Sequence, residues 1–320
     1  MLSTSRIAAS AVLALGLVTA CASTTESTAP SSVDVQAFSA GQCDFVLRCQ
    51  PLALATVFGT RDACVSELAA SITPELALKG VSLSEAEAQA CQAKYAGHSF
   101  DDPSTPAECA FKGTLADGAP CASTLQCSSG NCELAASTDG TSAVCGTCKP
   151  FAGVGEDCTD ANCAEALRCS SAHKCVAGVA EGVACADPSE CSGSLQCVAG
   201  KCAPLLAEGA ACKPNTTAAG SCNSNVGLYC KPTIADGSAG VCAKYAFANV
   251  GEPCGIDRTT FIATLCTGAQ CDATTALPIG KCIPFVADGA ACSDTTAACA
   301  FGLGCTAGVC KRTDRTTCNP

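Results

Sequence analysis

Glu181-Gly182-Val183-Ala184-Cys185 opens a stretch that continues through Glu190-Cys191-Ser192-Gly193-Ser194-Leu195-Gln196-Cys197 and closes on Ala199-Gly200-Lys201-Cys202. Its grammar is a Gly three residues before a Cys, a second Cys, a Leu two residues before a third, and a Gly two residues before a fourth. The first element recurs at Gly118/Cys121, Gly155/Cys158, Gly182/Cys185, Gly209/Cys212, Gly251/Cys254 and Gly289/Cys292. Leu precedes Cys by two positions at Leu125/Cys127, Leu167/Cys169, Leu195/Cys197, Leu228/Cys230 and Leu303/Cys305. Units read as closing on Cys132, Cys175, Cys202, Cys242, Cys282 and Cys310, mostly with Gly two positions earlier. Apolar exits such as Pro150-Phe151, Pro204-Leu205 and Pro284-Phe285 then follow. A period of a few tens of residues marks a tandem array. The gaps between first cysteines are 37, 27, 27, 42 and 38 residues, so the unit tolerates insertions between fixed points. Such tolerance is expected where cross-links rather than packing define the fold.

Four of the recurring glycines follow an acidic residue (Asp117, Glu181, Glu208, Asp288), a pairing that suits a turn requiring positive φ. The middle units carry Cys158, Cys163, Cys169 and Cys175; Cys185, Cys191, Cys197 and Cys202; Cys212, Cys222, Cys230 and Cys242; and Cys254, Cys266, Cys271 and Cys282. Cys292, Cys299, Cys305 and Cys310 repeat the set in the last unit. Four cysteines allow three connectivities, and spacing does not choose among them. First-to-third with second-to-fourth is the expected pairing.

Composition supports cross-linking over packing. Of 320 residues 32 are Cys, aromatics make up 4 %, and Trp is absent. Ala-rich segments bury too little apolar area for a large core at about 25 cal/mol per Å². Such cysteine density signals a disulfide scaffold made in an oxidising compartment. The expected fold is therefore a set of small disulfide-rich tandem repeats with short β-hairpins over 113–320. A small α-helical, disulfide-stapled segment over 33–112 precedes it. In that segment Cys64, Val65, Leu68, Ala69 and Ile72 form a helical stripe, and Ser84-Glu85-Ala86-Glu87 reads as a capping box.

Residues 1–20 read as a signal peptide: Arg6 supplies the charge and Ile7–Val18 the apolar run, too short to span a bilayer. The run ends in Val18-Thr19-Ala20-Cys21, which resembles the lipobox of bacterial lipoproteins. The resemblance implies lipidation of Cys21, with 21–32 as a flexible tether, and a location in the cell envelope, at the outer membrane. Plain cleavage after Ala20 is the alternative. The formal charge of −11 becomes −12 without Arg6, which disfavours nucleic acid as a partner.

The repeat grammar resembles the Dickkopf N-terminal cysteine-rich module. The whole layout resembles cysteine-rich lipoproteins of myxobacterium-like bacteria, with lipobox, helical segment and tandem modules in that order. That pattern has a further Cys near Ser99 or Phe100, which this chain lacks, leaving the pairing of Cys91 and Cys109 open. With Cys21 acylated an odd number of cysteines remains, and Cys318, outside the repeat, is the expected free thiol.

No catalytic, cofactor or metal site stands out. Cys145-Gly146-Thr147-Cys148 has redox-motif spacing but no surrounding βαβ pattern and no helix to lower a thiolate pKa. Zinc is disfavoured by export and by a single His, His173, among the repeats. His98 reads as a loop residue. The function expected is a non-enzymatic binding or envelope-structural module, held to the membrane by its lipid, with a protein or glycan partner. Its contact residues are expected in the longer insertions 213–221, 231–241 and 255–265. A thiol–disulfide redox role through Cys145 and Cys148, or protease inhibition, is the alternative.

Overall fold

The structure is a computed structural model that describes residues 33–98, 106–134, 145–159, 161–164, 167–187, 190–214, 220–234, 236–272, 279–293, 297–312 and 318. The signal segment, Cys21 and the tether lie outside the described residues. Four helices form a head: α1 (Val35–Cys49), α2 (Pro51–Ala53), α3 (Arg61–Leu76) and α4 (Glu85–Tyr95). Helix α2 runs directly into a π turn, Leu54–Phe58, which Gly59 ends at φ +75°. The caps follow the sequence chemistry. Asp34 accepts the Ala37 N–H, Thr60 accepts that of Ala63, and Ser84 and Glu87 form both halves of a capping box.

The head has two small cores. In one, Phe38, Leu83, Ala88 and Phe111 surround the Cys91–Cys109 bridge, with Leu125 of the first repeat unit completing it. In the other, Val46, Leu54, Phe58 and Leu68 surround Cys43–Cys64, and Phe301 of the last unit packs on it, 5.0 Å from the Phe58 ring. The head thus completes its cores with side chains from both ends of the repeat.

Six units follow: unit 1 (Cys121–Cys148), unit 2 (Cys158–Cys175), unit 3 (Cys185–Cys202), unit 4 (Cys212–Cys242), unit 5 (Cys254–Cys282) and unit 6 (Cys292–Cys310). In every unit the first cysteine is bonded to the third and the second to the fourth. The third and fourth stand opposite each other on antiparallel strands, as Cys197 does to Cys202 and Cys230 to Cys242. Residues opposite in a ladder share a sheet face, so the two bridges stack beneath the hairpin. Three sulfurs of a unit, such as those of Cys185, Cys191 and Cys202, lie within 4.8 Å of one another.

Unit 1 departs from the sequence reading. Its fourth cysteine is Cys148 rather than Cys132, which is the third and bonds Cys121. The signal for this was present: Gly146 stands two residues before Cys148, as Gly240 and Gly280 stand before Cys242 and Cys282. These three glycines sit in ladders where the opposite strand leaves no room for a side chain. A Cβ on Gly280 would meet the Asp272 carbonyl at 2.0 Å, and one on Gly146 the Glu133 carbonyl at 2.3 Å.

The apolar exits are also reassigned. The residue three before each recurring Gly pairs in parallel with the second cysteine of the following unit: Leu115 with Cys127, Ala152 with Cys163, Val179 with Cys191, Leu206 with Cys222, Ala248 with Cys266, and Val286 with Cys299. What reads as the end of one unit supplies the first backbone pairing of the next.

Candidate functional site

The array does not trail away from the head. The Gly268 N–H donates to the Ala55 carbonyl at 2.8 Å, and Cα atoms of Gly59 and Gly268 meet closely enough that a Cβ on either would sit 3.1 Å from the other. Thr114 N–H donates to the Gly80 carbonyl, and Ser123 Oγ donates to Glu75 Oε2 at 3.0 Å. Units 1, 5 and 6 therefore all touch the helical head.

One bridge closes the ring. Cys145 is bonded to Cys318, 173 residues away, whereas the other fourteen bridges span 11 to 21 residues. This corrects two expectations. Cys318 is not a free thiol; it is buried against Leu78 and Ala122. Cys145 and Cys148 do not form a redox pair. Residues 146–148 are a strand, so three steps of about 3.3 Å hold the two Cα atoms about 10 Å apart, beyond disulfide reach.

The free cysteine among the described residues is Cys49, buried at the end of α1. Its Sγ lies 3.9 Å from the carbonyl of His98, the residue immediately before Ser99. Cys49 thus lies beside the end of the stretch next to which the resembled pattern has a further Cys, at Ser99 or Phe100. Cys91 and Cys109 pair with each other.

At the ring's seam lies a cleft of about 410 Å³. Its walls are Phe38 of α1, Leu68, Ile72 and Glu75 of α3, Leu125 and Leu134 of unit 1, and Phe301 of unit 6. A volume of this size suits a small molecule, and the lining is mostly apolar with the Glu75 carboxylate and the hydroxyls of Ser71, Ser123 and Thr124 at its edge. Sequence reasoning missed the cleft, because its walls come from segments as far apart in the chain as Phe38 and Gly302.

The other candidates resolve locally. Of the three insertions, 255–265 is bound to its neighbour: Tyr229 Oη donates to the Phe261 carbonyl and accepts from the Ala263 N–H, both at 2.9 Å. Residues 215–219 and 235 of the other two lie outside the described residues. His173 holds φ +55° at the unit 2 hairpin turn, and its carbonyl accepts the Cys158 N–H. Asp157, Asp236 and Asp257 accept backbone N–H groups two residues on, which holds each carboxyl below its usual range. The sulfur clusters with metal-site spacing consist of bridged cysteines, which lack the thiolate that binds a metal.

Among the described residues no helix is long and apolar enough to cross a membrane. Comparison of the chain with protein-family models, with curated proteins and with solved structures finds no match.

Proposed function

We propose that this chain is an exported, non-enzymatic binding module of the cell envelope, tethered through a lipidated Cys21. The observation that carries the reading is the disposition of the cysteines. Thirty of the 32 are in bridges, Cys49 is buried, and Cys21 alone remains. Fifteen bridges call for an oxidising compartment. A thioether on Cys21 would account for the one cysteine that is neither bridged nor Cys49. Acylation also explains a lipobox-like Val18-Thr19-Ala20-Cys21 ahead of a polar tract.

What the anchor presents is a cross-linked ring, and the partner expected is an envelope or extracellular protein or glycan. Intact mass after denaturing alkylation without reduction tests the reading. One alkyl group together with an acyl increment on Cys21 is expected. Two alkyl groups and no acyl increment would refute the anchor. Capture on the immobilised wild-type ring, with a fully reduced sample as control, tests binding.

A further inference from the structure

We propose that the cleft at the seam binds a small zwitterion with an apolar body, a dipeptide of large apolar residues. Glu75 meets its ammonium and Arg312 its carboxylate. The inference goes beyond the envelope-module reading and stands whether or not Cys21 carries an acyl chain.

The body of the site is the gap between the head's two cores. Phe38 and Phe111 of one core and Leu68 of the other line it, and Ile72, also in the wall, packs against both cores. Protein interiors ordinarily close such gaps. Here the walls are fixed: Cys91–Cys109 and Cys43–Cys64 staple the cores, and Phe301 of unit 6 lies 5.0 Å from the Phe58 ring. A mostly apolar cleft that cannot collapse gains by exchanging its water for apolar side chains. Its volume of about 410 Å³ falls in the range that takes drug-sized ligands, which selects a dipeptide over a single amino acid.

The rim supplies charges of both signs. Glu75, on α3, is the one charged side chain in the wall among the described residues. Its Oε2 accepts from Ser123 Oγ at 3.0 Å, and a carboxylate with about four lone-pair sites can accept further donors. On the unit 6 side Gly302 stands at φ +75°, and a Cβ there would lie 3.0 Å from Arg312 Nη1 and 3.3 Å from Ser71 Oγ. The Arg312 guanidinium is therefore at the rim beside Ser71, which precedes Glu75 by one turn of α3. Arg312 is half-buried, and its side chain enters no ion pair or hydrogen bond among the described residues. Such a guanidinium matches a carboxylate, to which its planar fork donates two parallel hydrogen bonds.

Opposite charges on one rim select the ligand. A fatty acid meets Arg312 but also Glu75, in a chain of net charge −11. An apolar amine meets Glu75 but also Arg312. A zwitterion satisfies both, and each like-charge encounter disfavours the singly charged competitor.

The test is calorimetric titration of the whole oxidised protein with leucyl-phenylalanine, its N-acetyl form, its C-terminal amide and free leucine. The dipeptide is expected to bind, and each cap, which removes one charge, to weaken binding about tenfold or more. Free leucine, which leaves much of the apolar wall uncovered, is expected to bind about tenfold more weakly than the dipeptide. In Glu75→Gln the penalty for N-acetylation should vanish while that for amidation remains, and in Arg312→Gln the reverse should hold. Backbone amide NMR shifts caused by the dipeptide should fall at Ser71, Thr124 and Gly302. No binding at millimolar dipeptide, equal affinity for the capped forms, or cap penalties that neither substitution alters overturns the proposal. Leucine binding as tightly as the dipeptide, or shifts that fall away from the cleft, also overturns it. If either variant fails to fold, the cap series and the shift map on the native chain decide.

Discussion

The amide of Gly182 donates to the carbonyl of Cys202 at 2.7 Å, and the amide of Cys202 donates back to the carbonyl of Val183 at 2.9 Å. The same reciprocal pair recurs in all six units, between Gly118 and Cys148, Gly155 and Cys175, Gly209 and Cys242, Gly251 and Cys282, and Gly289 and Cys310. The recurring Gly is thus the hydrogen-bonded mate of the closing cysteine. It takes a positive φ in each case, +79° at Gly182.

A Gly182→Ala variant isolates that conformational requirement. A Cβ there meets nothing within 4 Å, so strain in the left-handed region is the whole effect. A loss of about 1–2 kcal/mol is expected, read by thermal unfolding or as faster hydrogen exchange at the Cys202 amide. An unchanged protein would show that the turn does not need glycine.

Ala199 and Ala307 carry φ of +49° and +50° in two-residue hairpin turns, each followed by a Gly at positive φ. Asn and Gly suit the first position of such turns better than Ala does. Ala307→Asn should raise stability by about 0.5–1 kcal/mol, measured as a higher unfolding midpoint. A lower midpoint would contradict the turn assignment.

Gln196, 8 % exposed, joins units 3 and 4: its amide nitrogen donates to the Pro204 and Ser221 carbonyls and its oxygen accepts the Ser221 N–H. Gln196→Ala removes three hydrogen bonds to backbone groups that are exposed or half-buried, and the Ser221 carbonyl keeps the Leu206 N–H, so a loss of about 0.5–1.5 kcal/mol is expected. Protection against hydrogen exchange should fall at Ser221 and at Asn223, whose N–H bonds to the Leu206 carbonyl. If only unit 3 responds, the side chain does not join the units.

Cys49 offers a gain-of-bridge test. Its sulfur lies beside the His98 carbonyl, so Ser99→Cys is expected to yield a sixteenth bridge and to remove the one alkylatable thiol. Its loop of about 50 residues would give up to about 4 kcal/mol in an otherwise open chain, and less here because bridges within the head already contract it. Persistence of two free thiols after oxidation would refute the placement.

Acid titration should follow the Asx turns. Asp257 accepts the Thr259 and Thr260 amides, which hold its pKa below the ordinary 3.8. A depressed folded value means that the stabilisation is present above the unfolded pKa and is lost as pH falls through the folded one. NMR titration of Asp157, Asp236 and Asp257 should give midpoints below 3.8; midpoints at or above it would exclude these turns in solution.

Residues with strong local chemistry were legible in the chain. Ser84 and Glu87 form the capping box that their spacing predicts, and Cys158, Cys163, Cys169 and Cys175 pair first to third and second to fourth. The polar side chains joining successive units went unread. Each stands one residue before a third cysteine, yet Asn131, Arg168, Gln196, Tyr229 and Gln270 range over carboxamide, guanidinium and phenol. Asn131 Oδ1 accepts from Asn162 in unit 2, and Arg168 donates to the Gly193 carbonyl in unit 3. Gln270, with its carbonyl oxygen turned to unit 6, accepts the Ala297 and Ala298 amides. The position is constant and the chemistry is not, so residue type carries no signal.

The sequence by itself determined the unit: Gly and Cys spacing, the turn that needs positive φ and the hairpin, with one of three possible connectivities expected for its bridges. All of these act within about 20 residues, where loop closure is cheap and backbone geometry decides. Only the tertiary structure decided that Cys145 bonds Cys318, that Cys49 is left over, and that Leu125 and Phe301 complete the head's cores. Those outcomes depend on contacts between segments far apart in the chain, which no local spacing records.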